Sequence, residues 1–160
     1  MSYVGDGGET SAISVPGATV RSLEFKSGAI ARLVAPGALT AGRYGLFRWE
    51  MPANASGAGA HFHRTFSESF YVLDGQVDLF DGRTWTAAKP GDYLYVPEGG
   101  IHGFRNDTDA PASMLILFAP GAPRERYFEE LAEIGASGRT LSKDAWAELY
   151  ARHDQTMVED

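Results

Sequence analysis

Turn signals are so dense along this chain that few folds can accommodate it. Clusters of Gly, Pro, Asn and Asp stand at "PG" from 36, "MPANASGAGA" at 51–60, "DG" at 74 and again at 81, "KPGD" at 89–92, "PEGG" at 97–100 and "NDTDAP" at 106–111. The segments between such breaks are too short for helices, and their alternation predicts strands at about 20–26, 29–34, 42–50, 59–63, 68–74, 76–80, 83–88, 92–96, 101–106 and 112–119. Within "VDLFDGRTW" the Asp-Gly step predicts a hairpin with a two-residue turn and positive φ at both positions. Nineteen glycines, eight prolines and 12% aromatic residues agree with an all-β sandwich or barrel.

After "FAPGAP" the period changes from two to that of a helix. Tyr127, Phe128, Leu131 and Ile134 form one stripe, opened by Pro123 and stopped by Gly135. Ala145, Trp146, Leu149 and Tyr150 form a second stripe behind a cap at Ser142. Two amphipathic α-helices therefore close the chain, either as elements with solvated charged faces or as a lid over the barrel mouth. The length of 160 residues suits one domain. Its expected parts are a flexible N-terminal segment at 1–17, a barrel at 18–120 and a helical extension at 121–160.

Composition removes several functions. With no Cys, thiolate catalysis, disulfides and soft metal sites are excluded, leaving His, Asp and Glu as strong metal ligands. The net charge of −7, with only three lysines among 14 basic residues, argues against a nucleic-acid partner. The apolar run "MLILFA" at 114–119 is far below the ~20 residues of a spanning helix, so no membrane role is expected. The first residues lack a basic leader and an apolar block, which predicts a cytoplasmic protein. No internal repeat, Gly-rich phosphate loop or GxSxG elbow is present.

The stretch "HFHRTFSESF" at 61–70 carries the chemistry. Side chains at i and i+2 of a strand share a face, so His61 and His63 project together. Glu68 begins the next strand and returns beside them if the two strands pair. His102, on a strand that follows the Pro-Gly turn of "PEGGIHGF", supplies a third imidazole. Three imidazoles and one carboxylate suit one borderline divalent ion, Fe, Mn, Ni, Cu, Co or Zn, at about 2.0–2.2 Å per bond. In an octahedron two positions stay open.

Written out, the pattern is His61-x-His63-x4-Glu68-x6-Gly75, then Gly91-x5-Pro97-x-Gly99-x2-His102-x3-Asn106. It resembles the two motifs of the cupin superfamily. One departure is Ala55, where the family usually carries a glycine six residues before the first histidine, although Gly57 and Gly59 lie nearby. The resemblance covers roughly two thirds of the chain and implies a single jelly-roll barrel, a double-stranded β-helix, with the ion held inside by His61, His63, Glu68 and His102. The stretches "ESFYVLDGQVDLFDG" and "GDYLYVPEGGIHGFRN" look most like the group labelled quercetin-dioxygenase-like.

That resemblance leads to a metal-dependent dioxygenase acting on a small aromatic, flavonoid-like or enolic substrate, with Glu68 as ligand and as acceptor of the substrate's proton. A non-redox isomerase, cyclase or lyase is the alternative within the family. A non-catalytic small-molecule-binding barrel is the third reading. A homodimer formed through the barrel's strands is expected, with or without exchange of the N-terminal segment.

Around the ligands, Phe47, Trp49, Phe70, Val72 and Phe104 fit both a pocket wall and core packing. Tyr44, Tyr93, Tyr95 and Arg105 are further candidates for polar contacts to a substrate. Gly75, Gly91 and Gly99 read as turn glycines, and Pro97 as the stiffener that aims His102. Asn106 either caps a turn or orients a ligand, and His153 suits the negative end of the last helix.

Overall fold

The computed structural model describes residues 2–121 and 123–158. Positions 1, 122, 159 and 160, which the expected N-terminal segment and helical extension include, lie outside the described residues. Eleven strands occur among the described residues: β1 (Ser22–Glu24), β2 (Ile30–Ala35), β3 (Gly45–Met51), β4 (His61–Phe62), β5 (Ser67–Asp74), β6 (Val77–Phe80), β7 (Trp85–Ala88), β8 (Tyr93–Val96), β9 (Gly103–Arg105), β10 (Ala112–Ala119) and β11 (Thr156–Met157). Two helices, α1 (Arg124–Ser137) and α2 (Lys143–Arg152), separate β10 from β11.

The order β1-β2-β3-β10-β5-β8 makes a six-stranded antiparallel sheet, and β7-β6-β9 makes a smaller one. Alternation decides which residues meet between them. On β3, Gly45, Phe47, Trp49 and Met51 are buried, whereas Arg48 and Glu50 face outward, where Glu50 pairs with Arg32 at 2.9 Å and Arg48 at 3.0 Å. On β10, Met114, Ile116 and Phe118 point inward opposite Trp49, Phe47 and Gly45. Val77, Leu79 and Phe104 from the smaller sheet join the same core. The jelly-roll barrel that the motifs imply is the fold observed.

Each of the ten predicted strands is present, most of them shortened by a residue or more at an end. The hairpin at Asp81–Gly82 differs from its expected form. Positive φ falls on Gly82 alone, at 91°, because the Asp81 carboxylate accepts the N–H groups of Arg83 and Thr84 and organises the turn itself. The first helix also differs: Gly135 does not stop it. It lies within the helix, where a Cβ would make only ordinary contact with Lys26 at 3.4 Å. Termination comes at Gly138, in the left-handed region at φ 68°. The cap at Ser142 is as expected, its hydroxyl accepting the Ala145 N–H at 3.2 Å.

The helices lie against the barrel rather than beside it. Phe128 of α1 stands 5.3 Å from the Trp49 ring and 5.5 Å from Phe47. Beyond α2 the chain returns to pair β11 with β4, with Met157 opposite His61. The sequence pattern carried no sign of this two-residue strand. No helix among the described residues is long and apolar enough to cross a membrane.

Candidate metal centre

Three segments of the barrel place the four polar side chains. His61 and His102 face each other across an isolated antiparallel bridge, exchanging N–H···O bonds of 2.9 Å in both directions. Paired residues in such a ladder put their side chains on one face, and here the ring centroids come within 4.3 Å. His63 follows His61 by two residues, and its carbonyl accepts the Gly99 N–H at 2.7 Å, tying it to the turn that aims His102. Glu68 sits near the start of β5, between Val96 and Phe118 of the neighbouring strands. One donor atom from each of the four lies within 4.8 Å of the others, and all four residues are buried.

The hydrogen bonds fix the imidazoles in one orientation. Nδ1 of His61 bonds the Gly59 carbonyl at 2.7 Å, that of His63 the Asp154 carbonyl at 2.6 Å, and that of His102 the Gly100 carbonyl at 3.0 Å. A carbonyl only accepts, so each Nδ1 carries the hydrogen and each Nε2 is left to face the centre. Nε2 of His63 and of His102 stand 3.0 and 2.9 Å from the same Glu68 oxygen. Stacking on Phe66, with centroids 4.3 Å apart, holds the His63 ring further.

Burial and the neighbouring His102 push the His61 pKa down to about 3, so this ring stays neutral, as a ligand must. Burial would raise Glu68, but hydrogen bonds from His102 and His63 outweigh it and hold the carboxyl well below the usual range. Burial also opposes charge on His102, yet its bond to Glu68 carries that ring above its ordinary value. Three oriented nitrogens and an ionised oxygen fit a borderline divalent ion. His61, His63, Glu68 and His102 would hold it.

A cavity of about 210 Å³ opens from this group. Of the five expected wall residues, Trp49 and Phe104 line it. Phe47, Phe70 and Val72 do not: at 0% exposure they are core, held between sheet strands. Tyr44, Tyr93 and Tyr95 are exposed on the outside, and Arg105 lies over Trp85 and pairs with Asp107, so none of these four offers a contact to the cavity. Asn106 is fully used by the loop. Its amide donates to Pro52 and Ala110 and accepts from Thr108, the turn role of the two expected. His153 caps α2 and bonds Glu130 at 2.8 Å.

The barrel adds Gly57–Gly59 and Ile116, and the C-terminal helices close the other side of the cavity with Arg124, Tyr127 and Phe128 of α1, Trp146 and Tyr150 of α2, and Gln155 beyond. Arg124, Gln155 and Asp154 were not anticipated. Arg124 had a readable signal, since it precedes Tyr127 and Phe128 by three and four residues and so extends their buried stripe backwards. For Asp154, which acts on His63 through its backbone carbonyl, residue type carries no signal.

Ala55 and its neighbours explain the departure in the first motif. Ala55 bridges Asn106 through backbone, and the tight approach falls on Gly57, where a Cβ would lie 2.1 Å from the Phe104 carbonyl oxygen.

Comparison with known proteins agrees with this architecture. Residues 47–118 match the family profile described as Cupin domain. Over 73 residues, 46% of the chain, the sequence is 32% identical to quercetin 2,3-dioxygenase of Bacillus subtilis (strain 168), and the match spans only 21% of that protein. Among solved structures, KdgF from Halomonas sp. superposes with a TM-score of 0.60 at 16% identity, covering 69% of this chain and 94% of that one. The polyketide cyclase RemF from Streptomyces resistomycificus gives 0.57 at 22% identity, with 68% and 79% covered.

Proposed function

We propose, from the cupin-domain match over residues 47–118 and the cupin-like fold, that the chain is a metal-dependent dioxygenase acting on a small aromatic or enolic compound. One observation supports the reading above others: three buried imidazoles and a carboxylate converge beside an aromatic-walled cavity, in a set that leaves positions of a six-coordinate ion open. At about 210 Å³ the cavity is below the ~300–1,000 Å³ of drug-sized ligand sites, which favours small members of the class over a flavonoid.

A redox-capable divalent ion held there supplies a Lewis acid for a phenol or enol oxygen and an electron path to dioxygen. The chain's own residues do the remainder. Trp49, Phe104 and Phe128 flank an aromatic or planar substrate, and the helices shield it from water. Glu68 is the group's only carboxylate, positioned to take the substrate's proton. Hydrogen bonds from His63 and His102 depress its basicity. A carboxylate bound to a divalent cation is a weaker base still, so Glu68 would act as a base only after releasing the ion.

The test is elemental analysis of the purified protein, followed by oxygen uptake with catechol-type and enolic compounds after reconstitution with Fe, Mn, Ni or Co in turn. The reading expects uptake that scales with turnover for at least one metal. Turnover that proceeds equally without oxygen replaces it with the Lewis-acid isomerase, cyclase or lyase reading. Stoichiometric metal without turnover replaces it with a binding barrel.

A further inference from the structure

The cavity wall is aromatic and apolar for most of its extent, and one member breaks the pattern with a full positive charge. Arg124 is 4% exposed and lines the same cavity as His61 and Glu68. Its Nη1 donates to the His153 carbonyl at 2.9 Å and its Nη2 to Gln155 Oε1 at 3.2 Å, while the guanidinium lies 4.1 Å from the Tyr127 ring centre. Its Nε has no acceptor, and Arg124 forms no ion pair with a carboxylate among the described residues. Glu68 and Asp154 act on it only at longer range.

A second donor shares its situation. Trp49 Nε1 is buried without an acceptor, and Trp49 lines this cavity as well. Buried cations in proteins are nearly always paired, and buried N–H groups nearly always find an acceptor. Here two orphan donors from different elements, β3 and α1, are buried atoms of residues that line one cavity. The charge balance points the same way. Glu68 and Arg124 cancel, the imidazoles bind as neutral ligands, and a divalent ion would leave the cavity with two uncompensated positive charges.

We propose that the cavity takes a small carboxylate-bearing substrate, an aromatic or enolic acid, whose carboxylate is held by the Arg124 guanidinium with the Trp49 indole N–H as second donor. The proposal rests on the metal-dependent reading and narrows its substrate class. Arginine suits the task because its planar fork matches a carboxylate, and because two of its nitrogens are already anchored by His153 and Gln155 it is held in place before the ligand arrives. The acid's other end then lies toward Glu68 and the three imidazoles.

The probes are benzoate and its neutral isostere benzamide, titrated calorimetrically into the full-length chain as purified and after chelation, with metal content measured in both. The expected result is that benzoate binds about tenfold or more tightly than benzamide, and that this preference persists after chelation. Arg124→Gln should reduce the preference to about twofold or less, and Trp49→Phe should weaken benzoate by a few-fold and more than it weakens benzamide. Arg124→Lys keeps the charge without the fork and should give an intermediate preference. Thermal melting of each variant checks folding. Should the Arg124 variants fail to fold, the wild-type comparison decides: equal affinity for the two probes, or a preference that vanishes on chelation, overturns the proposal. Preference unchanged in a folded Arg124→Gln variant overturns it too. A protein purified without transition metal that still prefers benzoate would remove the metal reading and leave the arginine site standing.

Discussion

At the scale of single residues, the site is a set of donors whose protonation has been arranged in advance. Each imidazole gives its Nδ1 hydrogen to a backbone carbonyl and turns Nε2 inward, so an entering ion competes only with protons at Nε2. His61, pushed down to about 3 by burial and by His102, offers no competition at ordinary pH. His102 does, because its bond to Glu68 overcomes burial and raises it above the ordinary 6.5. Protons therefore win as pH falls through that raised value. Metal retained after dialysis across a pH series should decline on the acid side, beginning above 6.5, with affinity dropping by up to about tenfold per pH unit for each ring that protonates. Elemental analysis of the dialysed samples reads this directly. The identity of the four residues was legible in the chain because strand alternation and spacing are local properties. Arg124 is legible only in part: its spacing extends the buried stripe of Tyr127 and Phe128, but a charged residue at the start of an amphipathic helix ordinarily faces water, and the packing of α1 against the barrel decides the matter.

At the scale of elements, turn chemistry made the strand sequence readable, since every break from β1 to β10 except the one between β4 and β5 carries Gly, Pro, Asn or Asp. What stayed hidden were the long-range pairings, and β11 is the clearest case. Two residues, Thr156 and Met157, have no periodicity to detect, and they become a strand only because β4 offers an unpaired edge. The turn leading into β11 is held by Asp154, at φ 51°, whose carboxylate accepts the N–H groups of Arg64 and Thr65 and the Thr65 hydroxyl at 2.7–3.0 Å. The neighbouring carbonyl of the same residue orients His63. Asp154→Ala removes all of the side-chain bonds and places alanine in a left-handed conformation. It should lower stability by about 1–3 kcal/mol and metal affinity by about 10–100-fold, measured by chemical denaturation and by competition with a chromogenic chelator. Asp154→Asn, which tolerates that φ and keeps an acceptor, should recover part of both losses.

At the scale of the whole molecule, the six-stranded sheet ends at β1 on one side and β8 on the other, and the N-terminal residues carry apolar side chains into solvent: Val4 is 91% exposed, Ile13 66% and Tyr3 61%. Such side chains on a segment without strand partners are the surface a second copy would cover. We expect a homodimer, measured as twice the 17.3 kDa chain mass by light scattering at micromolar concentration, and a single chain mass would contradict it. The closure of β11 onto β4 reaches further than packing. Because β11 pairs with His61 and the turn before it bonds His63, two of the residues that would hold the ion, closure of the chain and metal binding should be reciprocal: a chelator should expose the carboxyl end of the chain to exchange and proteolysis, and shaving off that end should make the protein leak its metal.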